Sequence, residues 1–315
     1  MLTVLLATRN RANILRDVLE EYCRLQPPSS GWKLVVADNG STDHTAEVIS
    51  SFASRLPLHS VVEPKLGKNF ALNAGLDLVE GDLVVFTDDD AFPNGDWLVR
   101  LRKAADDQPA YSMFGGAIVP RWEAPPPPWV QWLDLGPIFT ITPPAMKEGE
   151  LTPVTMVQGP NMAIRTGAFR SGSRFDTSIG PRGSSYPMGS ETELLLRLSR
   201  QGHKAWHVQG AVVEHLVRKE QLNKAWILRR AIRYGRGWYR MAPAEKLWIG
   251  VPRQLFVDIP REGLFMCAAL VLFKQRALLR SRWRFNYLRG QAIEARNLAR
   301  ERSARARSAC HEVVH

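Results

Sequence analysis

At 315 residues, 45% of them hydrophobic and 23% charged, the chain can bury a substantial core, which excludes a largely disordered protein. Its three cysteines, Cys23, Cys267 and Cys310, are far apart and lack histidines at zinc-ligand spacing; this excludes a disulfide framework and a structural zinc site and fits a reducing cytosol. The net charge of +11 is uneven: residues 216–310 hold 22 Lys and Arg against 6 Asp and Glu, while the rest of the chain is net acidic.

Leu2–Leu6 is a short apolar run without the basic flank and cleavage site of a signal peptide, and it reads as a buried strand. It ends in the turn-prone Thr8-Arg9-Asn10, after which Leu15, Val18, Leu19 and Tyr22 recur at helical spacing. The pattern repeats with Leu34–Ala37, the loop Asp38-Asn39-Gly40-Ser41 and a helix carrying Ala46, Ile49 and Phe52. Ser60–Glu63 and a helix carrying Leu72, Leu76 and Val79 follow, and Leu83–Phe86 is a fourth strand before a helix expected from Pro93 through Leu101. Short apolar strands alternating with helices predict an α/β fold around a parallel sheet covered on both faces, because each parallel crossover returns through a helix. Such sheets bind ligands beyond the carboxyl ends of their strands, so Asp38 and Asp88 are expected to converge on one crevice.

Pro120, Pro125–Pro128, Pro137, Pro143 and Pro144 exclude regular helix and predict a long loop or extended excursion. Regularity returns at Gly159–Ile164, in a helix from about Ser190 whose Leu194, Leu195 and Leu198 face inward, and in closing strands Lys204–Val208 and Ala211–Val213. Beyond Gln221 the chain is helical and basic, interleaved with Trp226, Trp238, Tyr239, Trp248, Leu255, Phe256, Phe265, Trp283 and Phe285. That mixture points to an anionic partner, a membrane surface with nucleic acid as the other reading; helices that simply pack on the catalytic domain are the bland alternative. Gly263–Phe273, the longest apolar stretch there, is about half of the roughly 20 residues a helix needs to cross a bilayer, so no segment is expected to span one.

The sharpest chemical feature is Asp88-Asp89-Asp90 at the end of the fourth strand. Three carboxylates in a partly desolvated site repel one another, and a divalent cation resolves the conflict. Mg²⁺ or Mn²⁺ takes oxygen ligands and retains substrate phosphates, so the triplet suits a diphosphate. A solvated acidic turn at a helix N-terminus is the bland alternative. No glycine-rich phosphate loop follows the first strand, which argues against a nucleotidyltransferase.

Taken together, these segments resemble the family 2 glycosyltransferases, with the GT-A type of nucleotide-binding fold, over roughly residues 2–240. The resemblance implies that Thr8, Arg9, Asn10 and Arg11 sit beside the nucleotide and that Asp38, in Val-Val-Ala-Asp-Asn-Gly-Ser-Thr-Asp, contacts the base, usually uracil. Gly67-Lys68-Asn69-Phe70-Ala71-Leu72-Asn73-Ala74-Gly75 is similar to the next motif, with Leu72 where many members carry arginine and Lys68 as its substitute; Asn73 joins the nucleotide set. Asp88 and Asp90 become the outer residues of the Asp-x-Asp signature, with Asp90 the metal ligand, Asp88 nearer the ribose and Asp89 the middle residue. Gly159, Asn161 and Arg165 would line the sugar and acceptor side. Glu191 takes the position of the catalytic base, with Glu193 as the other acid of that helix, and His215, in Val-Val-Glu-His, is a further ligand to metal or diphosphate.

The implied architecture is a GT-A type, Rossmann-like sheet covered by helices over 1–220, with a nucleotide-sugar half to about 110 and an acceptor half from about 111. A basic, amphipathic helical extension follows at 221–315. The implied activity is inverting transfer of a sugar from a UDP-type donor, dependent on Mn²⁺ or Mg²⁺, to a hydroxyl of a saccharide or lipid-linked acceptor. Its expected setting is cell-surface polysaccharide or glycolipid synthesis, in the cytoplasm or at the inner face of the plasma membrane. A catalytically degenerate protein whose basic tail binds membrane or nucleic acid is the competing reading.

Overall fold

The structure is a computed structural model that describes every residue except Ser184 and 313–315, with side chains described to residue 304 in the last helix. The described residues form two compact units, one of residues 1–125, 135–177 and 190–218, the other of residues 126–134, 178–189 and 219 onwards.

The first unit opens with β1 (Leu2–Thr8), α1 (Ala12–Tyr22), β2 (Trp32–Asp38), α2 (Thr45–Ser51), β3 (Leu58–Val62), α3 (Lys68–Leu76) and β4 (Leu83–Asp88). It continues through β5 (Ala91–Pro93), α4 (Trp97–Asp107), β6 (Met113–Trp122), α5 (Leu135–Phe139), β7 (Gly149–Leu151), β8 (Met162–Arg165), α6 (Ser190–Arg200) and β9 (Ala205–Val217). The strands make one sheet in the order β3-β2-β1-β4-β8-β6-β9-β5, with β7 also paired to β9. β3, β2, β1 and β4 are mutually parallel, as their helical crossovers require, and Leu2, Val4, Leu5 and Leu6 of the central β1 are all fully buried. Leu15, Val18, Leu19 and Tyr22 of α1 and Leu194, Leu195 and Leu198 of α6 are buried as their spacing predicts.

Local expectations are corrected at several points. Ala46 faces solvent, and α2 buries Thr45, Val48 and Ile49 instead. α4 starts at Trp97, because residues 91–93 extend as β5 against β9. The extended excursion expected at Pro120 is met, as β6 continues through it: β8 reaches only Met113–Gly115 of β6, so no second ladder demands the missing N–H. Pro137 lies inside the short α5, within the first turn, where its missing N–H has no helical acceptor to lose. The two expected closing strands are the single β9, whose register against β6 shifts between Gly116 and Ala117.

The second unit contains α7 (Lys224–Met241), β10 (Leu247–Trp248), β11 (Val251–Pro252), α8 (Leu255–Val271) and α9 (Gln275–Glu312). α7 and α9 cross closely at Gly235, where an added Cβ would strike the Tyr287 carbonyl. Beside that crossing the fully buried Glu294 accepts from Arg236 Nε at 2.8 Å and Arg240 Nε at 2.6 Å. Of the aromatic and aliphatic residues expected to meet a partner, Tyr239 and Leu255 are buried inside this unit and Trp226, Trp283 and Phe285 are half-buried, whereas Trp238, Trp248, Phe256 and Phe265 are exposed. Among the described residues no helix is long and apolar enough to cross a membrane.

Candidate active site

β1, β2 and β4 end together, with Thr8 beside Asp38 and Ala7 beside Asp88. At the spacing of neighbouring strands, Asp38 and Asp88 flank β1 about 10 Å apart. After Asp88 the chain turns through Asp89 and Asp90 into β5, whose Ala91 pairs with His215, and the Leu216 amide donates to the Asp90 carbonyl at 3.0 Å. β9 thereby delivers His215 to the acidic triplet. α3 begins at Lys68 directly after Gly67, whose φ of +137° strains any side chain and whose amide donates to Asn39 Oδ1 at 2.7 Å. α6 carries Glu191 in its first turn, packed so closely on Gly159 that an added Cβ would strike the Glu191 carboxyl.

Lys68 joins these elements: its Nζ donates to Asp88 Oδ1 at 2.6 Å and to Glu191 Oε1 at 2.9 Å. The two carboxylate oxygens are therefore at most 5.5 Å apart, the sum of those bonds. Burial disfavours charge on the ammonium, but Asp88 and Glu191 outweigh it and hold the Lys68 pKa above its ordinary range. Asp90 Oδ2 accepts from Arg11 Nη1 at 2.6 Å and from Arg218 Nη2 at 2.9 Å, while Oδ1 faces His215 Nε2 at 3.4 Å. Burial pushes the Asp90 carboxyl up, yet His215 and Arg11 reverse this and leave it well below the usual carboxylate range. Asp89 accepts from Thr8 Oγ1 at 2.7 Å and Arg11 Nη1 at 3.0 Å; there burial outweighs Arg11, and the carboxyl is pushed up to about 6.

His215 Nδ1 donates to the Phe139 carbonyl oxygen at 2.7 Å, which fixes the ring and turns Nε2 toward the acids. Burial works against its protonation, but Asp90 raises the imidazole pKa above its ordinary value. One ligand atom from each of Asp88, Asp90 and His215 lies within 4.8 Å of the others. Two carboxylates and a backbone-anchored imidazole are a donor set that fits Mn²⁺ or Mg²⁺.

The segments 8–11 and 38–42 form one rim. Asn10, at φ +52°, accepts from the Thr42 amide at 2.7 Å, and Asp38 Oδ1 accepts from Ser41 N at 3.0 Å and Ser41 Oγ at 2.6 Å. Arg9 is exposed on that rim. Four other nominated residues are used elsewhere. Asn73 bonds both the amide and the carbonyl of Phe175 at 2.9 Å, bracing that segment. Asn161 is fully buried, donating to the Ala117 and Ala211 carbonyls that the irregularity between β6 and β9 leaves over, and accepting from Trp97 Nε1 at 2.9 Å. Arg165 pairs with Leu83, at the far end of β4 from Asp88 by roughly 16 Å, and its guanidinium is held by the Ala105 and Tyr111 carbonyls. Glu193 is taken by Arg197 at 2.9 Å, which leaves Glu191 as the α6 acid tied to the triplet. Sequence reasoning missed Arg218: buried carboxylates demand cations, but nothing in linear spacing nominates the residue that follows β9.

The model of the family described as Glycosyl transferase family 2 matches residues 3–173. Among curated proteins, the chain is 26% identical over 253 residues to the succinoglycan biosynthesis protein ExoM of Rhizobium meliloti, covering 80% of this chain and 78% of that protein. It is 24% identical over 211 residues to the glucosyl-dolichyl phosphate glucuronosyltransferase of Haloferax volcanii, 64% of this chain and 65% of that protein. Among solved structures, the mannosyltransferase PcManGT from Pyrobaculum calidifontis, in complex with GDP-Man and Mn²⁺, superposes with a TM-score of 0.65 at 21% identity, over 93% of this chain and 86% of that one. TarS 1–349 of S. aureus, in complex with UDP-GlcNAc, does so with a TM-score of 0.53 at 14% identity, over 95% and 92%. With an α/β fold of GT-A type and a family match over more than half its length, the chain belongs to glycosyl transferase family 2.

Proposed function

We propose that this chain is an inverting, cation-dependent glycosyltransferase that moves a sugar from a UDP-type donor to a hydroxyl of a saccharide or lipid-linked acceptor. The observation that carries this reading is the meeting of Asp88, Asp90 and His215 within 4.8 Å, with Glu191 bound to the same Asp88 through Lys68. Residues from β4, β9, α3 and α6 thereby surround one point beyond the strand ends, where parallel sheets bind ligands. We assign the catalytic domain to residues 1–220, with the nucleotide half to about 110, and the basic extension to 221–315.

In this reading Glu191 accepts the proton of the acceptor hydroxyl as its oxygen bonds to the anomeric carbon. The bond from that carbon to the diphosphate breaks on the opposite side, so the configuration inverts and a nucleoside diphosphate leaves. Asp88, Asp90 and His215 would hold Mn²⁺ or Mg²⁺, which when bound neutralises charge on the departing diphosphate. Arg11, Arg218 and Lys68 already balance the acids, and each is available to the phosphates once its carboxylate partner turns elsewhere. Thr8–Arg11 and Asp38 form the rim assigned to the nucleoside.

Polysaccharide or glycolipid assembly is the setting this reading favours, since one relative is named for succinoglycan biosynthesis and another for transfer to glucosyl-dolichyl phosphate. A panel of UDP- and GDP-sugars, each tested with Mn²⁺ for thermal stabilisation and for release of nucleoside diphosphate in the presence of acceptor, examines it. One UDP-sugar that both stabilises the protein and turns over is the expected result. Stabilisation by no nucleotide sugar, with or without Mn²⁺, would overturn the reading.

A further inference from the structure

α8 is built inside out. Its acids point inward: Asp258 is 8% exposed and Glu262 6%, paired with Arg261 at 2.7 Å and Arg284 at 3.3 Å. Its apolar side chains point outward at helical spacing, through Val257, Leu264 and Val271, the last two 72% and 73% exposed, and Phe265 stands beside them. The helix ends at Leu272 and Phe273, the latter 89% exposed, and Trp248 and Ile249 add a second exposed apolar tip in the same unit. Phe273 has φ +53° and Ile249 φ +49°, backbone that favours glycine or asparagine, so each tip holds a bulky apolar residue in a costly conformation without burying it. A contiguous apolar face of this kind is costly in water and marks a binding surface.

The charge around this face selects the occupant. Between Glu262 and Glu294 the sequence has no acid, and Lys274, Arg276, Arg280, Arg282 and Arg284, all exposed, follow directly after the Phe273 tip. A second copy would bring the same cations against them, and nucleic acid offers nothing for exposed Leu264 and Phe273. An anionic bilayer supplies both hydrocarbon and negative charge over the whole of this face. Where α8 turns into α9 a cavity of about 330 Å³ is walled by Leu270, Phe273 and Leu278 with Lys224 and Arg282 beside them, a seat for hydrocarbon next to cations.

We propose that α8 and the start of α9 dock this protein on an anionic phospholipid bilayer, with α8 lying in the interface and the Leu270–Phe273 tip inserted. The helix, about 25 Å long, lies along the surface and does not cross it. This docking is independent of the sugar-transfer reading and is measured without donor. Full-length protein with Cys23 and Cys310 replaced by serine, and an environment-sensitive fluorophore on the exposed Cys267, is floated with vesicles of phosphatidylcholine alone or mixed with phosphatidylglycerol. Expected are flotation and a blue-shifted emission with the anionic vesicles, and a loss of about fivefold in partitioning for each of Lys274→Gln and Arg276→Gln. Leu264→Ser with Phe273→Ser, both at exposed positions, should weaken partitioning more than tenfold while leaving the melting temperature unchanged. No flotation, unshifted emission, equal binding by the apolar double variant, or an apolar-dependent dimer that excludes vesicles would each overturn the docking. A protein that floats but transfers no sugar refutes the transfer reading alone.

Discussion

Lys68→Met removes one ammonium and leaves two carboxylates facing each other, so it measures how strongly α3, β4 and α6 are coupled. Asp88 and Glu191 oxygens are no more than 5.5 Å apart, and each side chain keeps only about a fifth of its surface exposed. At an effective dielectric of about 20, their repulsion over that distance is roughly 3 kcal/mol, near the cost of breaking a buried ion pair from one side. In a domain of this size such a loss lowers the melting temperature by roughly 6–12 °C. The assay is differential scanning fluorimetry in EDTA and in Mn²⁺. The deficit should be large in EDTA and smaller in Mn²⁺, because a cation on Asp88 restores the missing positive charge. A variant that melts like wild type in EDTA would refute the coupling, and with it the convergence of Asp88 and Glu191.

Glu191→Gln keeps the hydrogen bond from Lys68 but cannot accept a proton; transfer should fall by about 10²- to 10⁴-fold in kcat while the donor KM is unchanged. In the second unit, Glu294→Ala strands Arg236 and Arg240 without their buried partner and should cost about 3–5 kcal/mol in urea unfolding. Burial lowers the His207 pKa below its ordinary 6.5, against the pull of its hydrogen bond to the Gly115 carbonyl. The unfolded chain therefore takes up this proton first, so stability from neutral His207 is present above about pH 6.5 and declines on acidification, at up to about 1.4 kcal/mol per pH unit. His215, whose pKa is raised, acts with the opposite sign, so the comparison is made within His207→Asn: its acid limb should be flatter, and an unchanged slope in a pH series of urea melts would count against the assignment.

The acidic triplet was legible because an apolar run ending in three acids has few explanations, and the parallel sheet because period and spacing dictate it. The packing of Asn161 was not legible because it is set by the register shift between Gly116 and Ala117, which lies far away in sequence and leaves carbonyls to be filled. The place of Arg165 was not legible because proximity in a motif does not say which end of a strand a residue occupies. Arg218 had no local signal, and Pro120 could not separate a loop from a strand, because a strand with one ladder tolerates proline. α8 is the clearest case: its apolar and acidic residues alternate at helical spacing, but periodicity does not tell which face turns inward, and here the acids do.

In the proposed mechanism Asp88, Asp90 and His215 hold a cation that clamps the donor diphosphate. Isothermal titration of UDP into wild-type protein and into Asp90→Asn, with Mn²⁺ and with EDTA, tests it most directly. Expected is binding by the wild type that needs Mn²⁺ and is lost in Asp90→Asn while the variant remains folded; equal UDP affinity in EDTA and in Mn²⁺ would rule out a cation clamp.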